Sequence, residues 1–264
     1  MYNAIKVMIL FISDIDKTLL YSNCPGNVCV EYSEDRPVTH MTATAVATFN
    51  QIISSGRLLF IPCTLRSYEQ TSRIGVFNKI KERIFICDNG FSVYEDGQLD
   101  KSWDDEMQER LKHYPNAPTL TKIRDCVESN HLNVCKIKSN RDAFYTLIFT
   151  CADEASYGMQ LLSACMNNDP YRLELQGRKL YVIPDFLDKS LAVEYIINKF
   201  TPECIITSGD SSVDQKFVCL GDVKIIPSHS TINIDGALIT KSAGINAGEE
   251  ILATVSEIGE REGV

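Results

Sequence analysis

Short apolar runs alternate with segments of helical periodicity through the first third of the chain. The runs have the length of buried strands, and the longer segments repeat their apolar residues every three or four positions. The predicted elements are strands at residues 7–12, 58–62 and 84–87 and helices at residues 41–55 and 69–81. Strands that alternate with helices favour βαβ units, and therefore a parallel sheet with helices packed against it.

A different pattern occupies residues 93–183. Its predicted elements are helices at 103–113, 121–130 and 154–167, a proline-rich stop at 114–118, a strand at 143–151, and a hairpin of residues 171–175 and 179–183. A hairpin combined with several helices indicates a separate α+β module. We therefore predict a core domain of residues 1–92 and 184–264, interrupted by an inserted domain at 93–183. Residues 21–37 predict a short flap or hairpin beside the first strand.

Polar side chains follow the first two apolar runs at the points where the predicted strands end. Asp14 and Asp16 come after the first strand, and Thr64 and Arg66 come after the second. Ligands of α/β proteins bind at the carboxyl edge of the sheet, where these side chains are expected to meet. Two carboxylates one residue apart repel each other unless a cation or a shared proton relieves them, so the pair implies a divalent metal, an acid/base division of labour, or both.

Two later segments add charged residues at element ends. Lys189 opens a helical pattern, and Asp210 and Asp214 follow an apolar strand pattern at residues 204–207. Each residue alone also has an ordinary structural interpretation. Those alternatives are a turn or helix-capping hydroxyl for Thr64, a salt bridge for Arg66, a solvated helix start for Lys189, an Asx turn for Asp210 and a helix N-terminal charge for Asp214.

In their order along the chain, these segments resemble the motifs of the haloacid dehalogenase (HAD) superfamily of phosphohydrolases. The matches are residues 14–18 to the DxDxT motif, Thr64 to the Thr/Ser motif, Lys189 to the lysine motif and residues 209–214 to the GDxxxD motif. Asn89, within Asp88-Asn89-Gly90, is similar to the Asn-Gly at the cap junction of the Cof-like and sucrose-phosphatase-like branches. The resemblance implies an α/β fold with a Rossmann-like, parallel-sheet HAD core and an inserted α+β cap domain of the C2 type.

The resemblance also implies roles for the acidic residues. Asp14 would be the nucleophile that forms an aspartyl-phosphate, and Asp16 the general acid and then the general base. Mg²⁺ is the expected cofactor, because a hard cation suits a set of carboxylate ligands. Its expected ligands are Asp14, the backbone carbonyl of Asp16 and Asp210, with Asp214 as a direct or water-mediated ligand.

Four residues are expected to contact the substrate on the same grounds. Thr64 and Lys189 would bind the non-bridging phosphate oxygens and stabilise the charge of the transition state. Arg66 and Asn89 are further candidates for substrate binding. Lys17 stands where many members of the superfamily have glycine.

These residues predict a Mg²⁺-dependent phosphatase that hydrolyses a small phosphomonoester, with a sugar phosphate as one candidate. The alternatives are a phosphomutase or phosphotransferase that discharges the same aspartyl-phosphate to a hydroxyl, and a non-catalytic phospho-receiver or regulatory protein. Receiver domains also combine a phosphorylatable aspartate, Mg²⁺, a threonine and a lysine. They are much shorter than this chain of 264 residues.

Composition limits the partners. The formal charge of −9 and the isoelectric point near 5.0 argue against nucleic acid and membrane surfaces as partners, because binding to phosphate backbones needs clustered lysine and arginine. The 10 cysteines are scattered without CxxC spacing, which favours reduced thiols and a cytoplasmic location. A small phosphorylated metabolite is the predicted partner, and the sequence indicates no oligomeric state.

Overall fold

The computed structural model describes residues 9–261. Val7 and Met8, at the start of the first predicted strand, lie outside the described residues. The strands are β1 (Ile9–Ser13), β2 (Tyr21–Ser22), β3 (Val28–Ser33), β4 (Arg36–Met41), β5 (Leu58–Pro62), β6 (Ile84–Cys87), β7 (Ser92–Glu95), β8 (Gln98–Leu99), β9 (Val134–Asn140), β10 (Phe144–Phe149), β11 (Tyr171–Gln176), β12 (Lys179–Pro184), β13 (Cys204–Ser208), β14 (Val223–Ile226) and β15 (Leu238–Ile239). The α-helices are α1 (Ala43–Ser54), α2 (Tyr68–Ser72), α3 (Lys101–Leu111), α4 (Asn116–Ser129), α5 (Ala152–Cys165), α6 (Lys189–Phe200), α7 (Gln215–Val218) and α8 (Ile245–Arg261), and single 3₁₀ turns cover Gly75–Lys79, Asp88–Gly90 and Ser212–Asp214.

The chain divides into two compact units. Unit 1 comprises residues 1–100 and 188–264, and unit 2 comprises residues 101–187. The predicted boundaries at 92/93 and 183/184 are corrected by strand pairing. β7 pairs with β6, which keeps the residues after 92 with the core. Pro184 pairs with Tyr171 of the hairpin, which keeps the residues after 183 with the insertion.

Unit 1 contains a five-stranded sheet in the order β15-β14-β13-β1-β5, and all of its pairs are parallel. This confirms the predicted parallel sheet. Every residue of β1 is buried, as expected for an interior strand of a sheet covered on both faces. The core beside it includes a cluster of phenylalanine rings, in which Phe11, Phe49, Phe60 and Phe77 lie 5.0 to 5.8 Å apart between ring centres.

The predicted flap at residues 21–37 forms a small antiparallel sheet in the order β2-β4-β3 and extends to Met41. The turn between β3 and β4 places Glu34 and Asp35 at φ of 50° and 62°, in the left-handed region that two-residue hairpin turns use. We call β2, β3 and β4 the flap sheet. An isolated antiparallel bridge joins Glu31 of β3 to Ile74, which precedes the 3₁₀ turn at Gly75–Lys79.

Unit 2 has its own antiparallel sheet, in the order β11-β12-β10-β9, and its own apolar core. Helices α3, α4 and α5 complete it, so the predicted α+β composition is confirmed. The hairpin β11–β12 is present where the alternating pattern predicted it. Strand β9 was not predicted.

Two predicted helices differ from the structure. The helix predicted at 69–81 is interrupted, because α2 ends at Ser72 and Ile74 adopts extended backbone angles before the 3₁₀ turn. α3 ends at Leu111, in agreement with the predicted stop at 114–118, but the helix predicted from residue 121 begins earlier, at Asn116, with Pro115 at its N-cap. No helix within residues 9–261 is long and apolar enough to cross a membrane.

Candidate functional site

Three strands of the parallel sheet bring polar residues to one edge. β1 lies between β13 and β5, in a register that aligns Ser13 with Ser208 and with Pro62. The alignment continues past the strand ends, because the Asp14 N–H donates to the Ser208 carbonyl at 2.9 Å and the Cys63 N–H donates to the Ser13 carbonyl at 2.8 Å. Asp14, Thr64 and Asp210 therefore emerge from neighbouring strands at the same edge.

Residues 14–18, which we call the acidic loop, are held in a tight turn. Lys17 has a φ of 61°, a left-handed conformation that costs free energy for a residue with a side chain. Its carbonyl accepts hydrogen bonds from the Tyr21 hydroxyl at 2.6 Å and from the His229 Nε2 at 2.9 Å. The Gly244 N–H donates to the other ring nitrogen of His229 at 3.2 Å, so the Nε2 atom carries the proton. These bonds offset the strain of the turn.

Lys189 is the cation at the centre of the site. It is the first residue of α6 and is completely buried, and its Nζ donates at 2.7 Å to Asp14 Oδ1 and at 2.7 Å to Asp214 Oδ1. Burial lowers the pKa of the Lys189 ammonium, but the two carboxylates together outweigh burial and raise that pKa above its ordinary value. Lys189 is therefore charged throughout the physiological range.

A glycine allows Lys189 to approach the end of β6. Gly90 has a φ of 89°, and a Cβ atom there would lie 2.9 Å from the Asp188 carbonyl oxygen and 3.1 Å from the Lys189 Cα. The preceding residue, Asn89, is completely buried and donates its N–H to the Thr64 carbonyl at 3.0 Å. The Asp88-Asn89-Gly90 segment thus joins the turn after β5 to the start of α6.

Asp214 organises the loop after β13. Its Oδ2 accepts hydrogen bonds from the Asp210 N–H at 3.2 Å, the Ser211 N–H at 3.0 Å and the Ser211 hydroxyl at 2.8 Å, while its Oδ1 faces Lys189. Gly209 makes room for this arrangement, since a Cβ atom on it would lie 2.5 Å from the Asp214 Cβ. Asp214 therefore ties the loop to the buried lysine with both of its oxygens.

Three carboxylates at this edge could hold a metal ion. Asp14, Asp210 and Asp214 are buried, and each offers one oxygen within 4.8 Å of the others. Burial and the neighbouring carboxylates raise the pKa of Asp14 well above its usual range, although Lys189 opposes them. Burial, followed by the Asp214 charge, raises the pKa of Asp210 to about 7. A divalent cation would relieve this crowding, and the all-oxygen donor set fits Mg²⁺.

Asp16 has different surroundings from Asp14. Its side chain is 43% exposed, and Arg66 binds it with two parallel hydrogen bonds, from Nε at 2.7 Å and from one terminal nitrogen at 2.6 Å. The Arg66 N–H also donates to the Thr64 hydroxyl at 3.2 Å. The Asp16 carboxylate is not among the clustered metal-ligand oxygens of the described residues.

The structure brings the sequence-predicted residues to one region in two groups. One group contains Asp14, Asp210, Asp214 and Lys189 around the metal-ligand oxygens. The other contains Asp16 and Arg66, with Thr64 and Asn89 on the adjoining turn. Arg66 faces carboxylates, so its contact with substrate stays a prediction.

Sequence reasoning missed the residues that support the acidic loop from a distance. Tyr21 and His229 bind the carbonyl of Lys17, and Glu31 lies on the far side of Arg66. Lys17, at a position where many members of the superfamily have glycine, indicates that the strained turn needs hydrogen bonds from elsewhere. No spacing rule in the sequence identifies the residues that supply them. Only the fold brings position 229 to position 17.

The chain is similar to known phosphatases. It matches the family model described as sucrose-6F-phosphate phosphohydrolase over residues 7–230. A sucrose-phosphatase from Synechocystis, solved in complex with sucrose and phosphate, aligns with a TM-score of 0.61 at 14% identity, covering 94% of this chain and 98% of its own. The C-terminal domain of a trehalose-6-phosphate phosphatase from C. albicans aligns with a TM-score of 0.66 at 11% identity, covering 96% and 93%.

A haloacid dehalogenase-like hydrolase from Bacteroides thetaiotaomicron aligns with a TM-score of 0.60 at 14% identity, covering 96% of this chain and 99% of its own. At these identities the structural likeness shows the fold alone. No curated protein matches the chain by sequence.

Proposed function

Because the chain belongs to the sucrose-6F-phosphate phosphohydrolase family, we propose that it hydrolyses a sugar phosphate monoester in a Mg²⁺-dependent reaction. The predicted HAD resemblance and the predicted enzyme class, a phosphatase, are confirmed by this family and by its HAD-like structural relatives. The single observation that carries the proposal is the buried Asp14, which Lys189 holds beside Asp210 and Asp214.

A sugar phosphate is the substrate class that the relatives favour. The family description names a phosphorylated sucrose, and the Synechocystis enzyme was solved with sucrose and phosphate. We propose that unit 2 is the C2-type cap domain and that it contributes to the choice among sugars, as inserted domains of this type do. The cytoplasmic location and the exclusion of nucleic-acid partners stay predictions.

In the proposed first step, Asp14 attacks phosphorus. A carboxylate oxygen of Asp14 forms a bond to phosphorus while the bond to the sugar oxygen breaks, and Asp16 gives its proton to the departing oxygen. Thr18 supports the nucleophile, since its hydroxyl donates to Asp14 Oδ2 at 3.3 Å. Lys189 orients Asp14 through the other oxygen.

In the proposed second step, water discharges the aspartyl-phosphate. Asp16 accepts a proton from the attacking water, and the bond between phosphorus and Asp14 breaks to release inorganic phosphate. Asp16 ends this step protonated, ready for the next substrate. Its partial exposure suits the exchange with water and with the leaving sugar, whereas the burial of Asp14 protects the intermediate.

Asp14, Asp210 and Asp214 would hold Mg²⁺, together with the backbone carbonyl of Asp16. When bound, the ion supplies positive charge that allows an anionic nucleophile to approach an anionic phosphate. We propose that Thr64 and Lys189 bind the phosphate oxygens and that Asn89 supports the Thr64 turn through its backbone bond. The transition-state charge is thereby shared between fixed donors.

The test is release of inorganic phosphate from a panel of phosphorylated sugars, measured with Mg²⁺ and with excess chelator. We expect Mg²⁺-dependent release from at least one sugar phosphate. Asp14→Asn should reduce turnover by about a thousandfold or more, because an amide cannot attack phosphorus. Asp235→Asn, at an exposed aspartate, is the matched control and should behave as the parent.

Absence of phosphate release from every member of the panel would contradict the proposed substrate class. Activity of Asp14→Asn within tenfold of the parent would contradict the nucleophile. Transfer of the phosphoryl group to a sugar hydroxyl, without inorganic phosphate, would identify a phosphotransferase.

A further inference from the structure

A buried carboxylate lies behind Arg66. Glu31 is in the middle of β3, and its side chain is completely buried. Its Oε2 accepts from Arg66 at 2.7 Å and from the Thr39 hydroxyl at 3.0 Å, and its Oε1 accepts from Arg73 at 3.2 Å. A buried carboxylate is costly unless its oxygens are paired in this way, so these bonds specify one position for the group.

The Arg66 guanidinium joins this carboxylate to Asp16. Its Nε and one terminal nitrogen bind the two oxygens of Asp16, and its other terminal nitrogen binds Glu31. Since the guanidinium is planar and its donors have fixed directions, contacts on two sides fix the orientation of the whole plane. The Asp16 carboxylate is therefore aligned by a group that Glu31 holds in place.

The backbone around Glu31 is rigid enough to serve as an anchor. Glu31 pairs with Thr39 of β4 and bridges to Ile74, so strands or bridges hold it on two sides. Arg73 also binds Glu31, but its side chain is 40% exposed. Two arginines thus bind the Glu31 carboxylate, and one of them, Arg66, also binds Asp16.

We propose that Glu31 is a positioning residue, which acts through Arg66 to align the carboxylate of Asp16 with the leaving oxygen of the substrate. The inference rests on the proposed function, because it assigns Glu31 to the acid/base step of that reaction. It adds the flap sheet to the machinery of the site. It also explains why Arg66 faces two carboxylates rather than an open surface.

The test is the dependence of rate on the leaving group in Glu31→Gln. An alkyl phosphate needs a proton on its leaving oxygen, whereas an activated aryl phosphate departs with little help. We expect the ratio of kcat/KM for the alkyl ester to kcat/KM for the aryl ester to fall about tenfold, mainly through kcat. Glu34→Gln makes the same chemical change at an exposed glutamate in the turn of the flap sheet, so it is the matched control and should keep the parent ratio.

A second variant covers the case in which Glu31→Gln does not fold, as judged by thermal unfolding. Arg66→Lys keeps the charge but cannot form the two parallel bonds, so it should lower the same ratio. If the parent hydrolyses both esters and the folded variants keep the parent ratio, the proposed role of Glu31 is overturned, whereas the proposed function stands. A parent that hydrolyses neither these two esters nor any sugar phosphate of the panel would overturn the proposed function and the role of Glu31 with it.

Discussion

The carboxylate of Asp210 makes the metal-depleted protein sensitive to pH. Burial and the neighbouring Asp214 raise the pKa of Asp210 from 3.8 to about 7 in the folded chain. The unfolded chain has no such burial, so between these two values it binds fewer protons than the folded chain does. The contribution of Asp210 to the free energy of unfolding is therefore greatest below the unfolded pKa. It falls as the pH rises from 3.8 to about 7 and levels off above the folded pKa. Asp14, whose pKa is also raised, acts in the same direction.

The size of the effect follows from the shift. One pKa unit corresponds to about 1.4 kcal/mol, so the full shift of Asp210 corresponds to about 4 kcal/mol. Between pH 5 and pH 8 the loss is about 3 kcal/mol, because part of the loss occurs below pH 5. Asp210→Asn removes the ionisation and nearly preserves the shape. In excess chelator, we expect this variant to gain stability relative to the parent as the pH rises.

The assay is urea unfolding of parent and variant at several pH values from 5 to 8, with chelator and with Mg²⁺. The difference in unfolding free energy between the two proteins cancels the titrations of groups that do not interact with Asp210. Asp14 loses a neighbouring negative charge in the variant, so its pKa is raised less there and its contribution changes in the same direction. Mg²⁺ should stabilise the parent by mass action and stabilise the variant less. A difference that is flat across this pH range, or one that moves in favour of the parent, would refute the reasoning. Asp235→Asn should give a flat difference, which controls for the loss of one exposed charge.

Two further substitutions test the packing around the buried lysine. Lys189→Met leaves two buried carboxylates without their cation and should lower the unfolding free energy by about 3–5 kcal/mol at pH 8. Lys112→Met, at an ion pair with Glu109 in which both side chains are exposed, should change it by less than about 1 kcal/mol. Equal losses in chemical unfolding would contradict the burial argument. Gly90→Ala forces a Cβ against the Asp188 carbonyl and should reduce kcat severely, while Gly26→Ala has nearly the same φ but no atom within 4 Å and should cost only about 1–2 kcal/mol of stability. Similar kcat values for the two alanine variants would show that the close approach at Gly90 does not matter.

The strand ends carried most of the predictable information. β5 and β6 have the predicted bounds, and β1 ends one residue beyond the predicted strand. Carboxyl ends of parallel strands meet at one edge, so polar residues just beyond the apolar runs could be assigned to one region without knowledge of the helices. The local sequence is sufficient to assign Asp14, Thr64 and Asp210 to this edge, because each lies within two residues of a strand end.

A tertiary contact explains one difference between the predicted and observed elements, and local effects explain two others. Residues 69–81 have helical periodicity, but Ile74 bridges to Glu31 of the flap sheet, and that bridge replaces the helix at this point. The helix predicted from residue 121 begins at Asn116, because prolines such as Pro115 and Pro118 are tolerated at the start of a helix, where an N–H would have no partner within the helix. Strand β9 is mostly half-buried or exposed and therefore lacks a clear alternating pattern.

Asp14 and Asp16 of the acidic loop differ in the cationic side chain that each of them binds. Asp14 binds Lys189, which is completely buried and shared with Asp214, and this arrangement would hold the proposed nucleophile away from water. Asp16 meets Arg66, which is shared with Glu31, and its own carboxylate stays partly exposed, as a group that exchanges protons with substrate and water requires. Each cation thus lies between two carboxylates, one on the acidic loop and one on a different element. Asp14 and Asp16, two positions apart, can therefore take the different roles proposed for them. α6 and the loop after β13 fix one carboxylate, and the flap sheet fixes the other through Arg66.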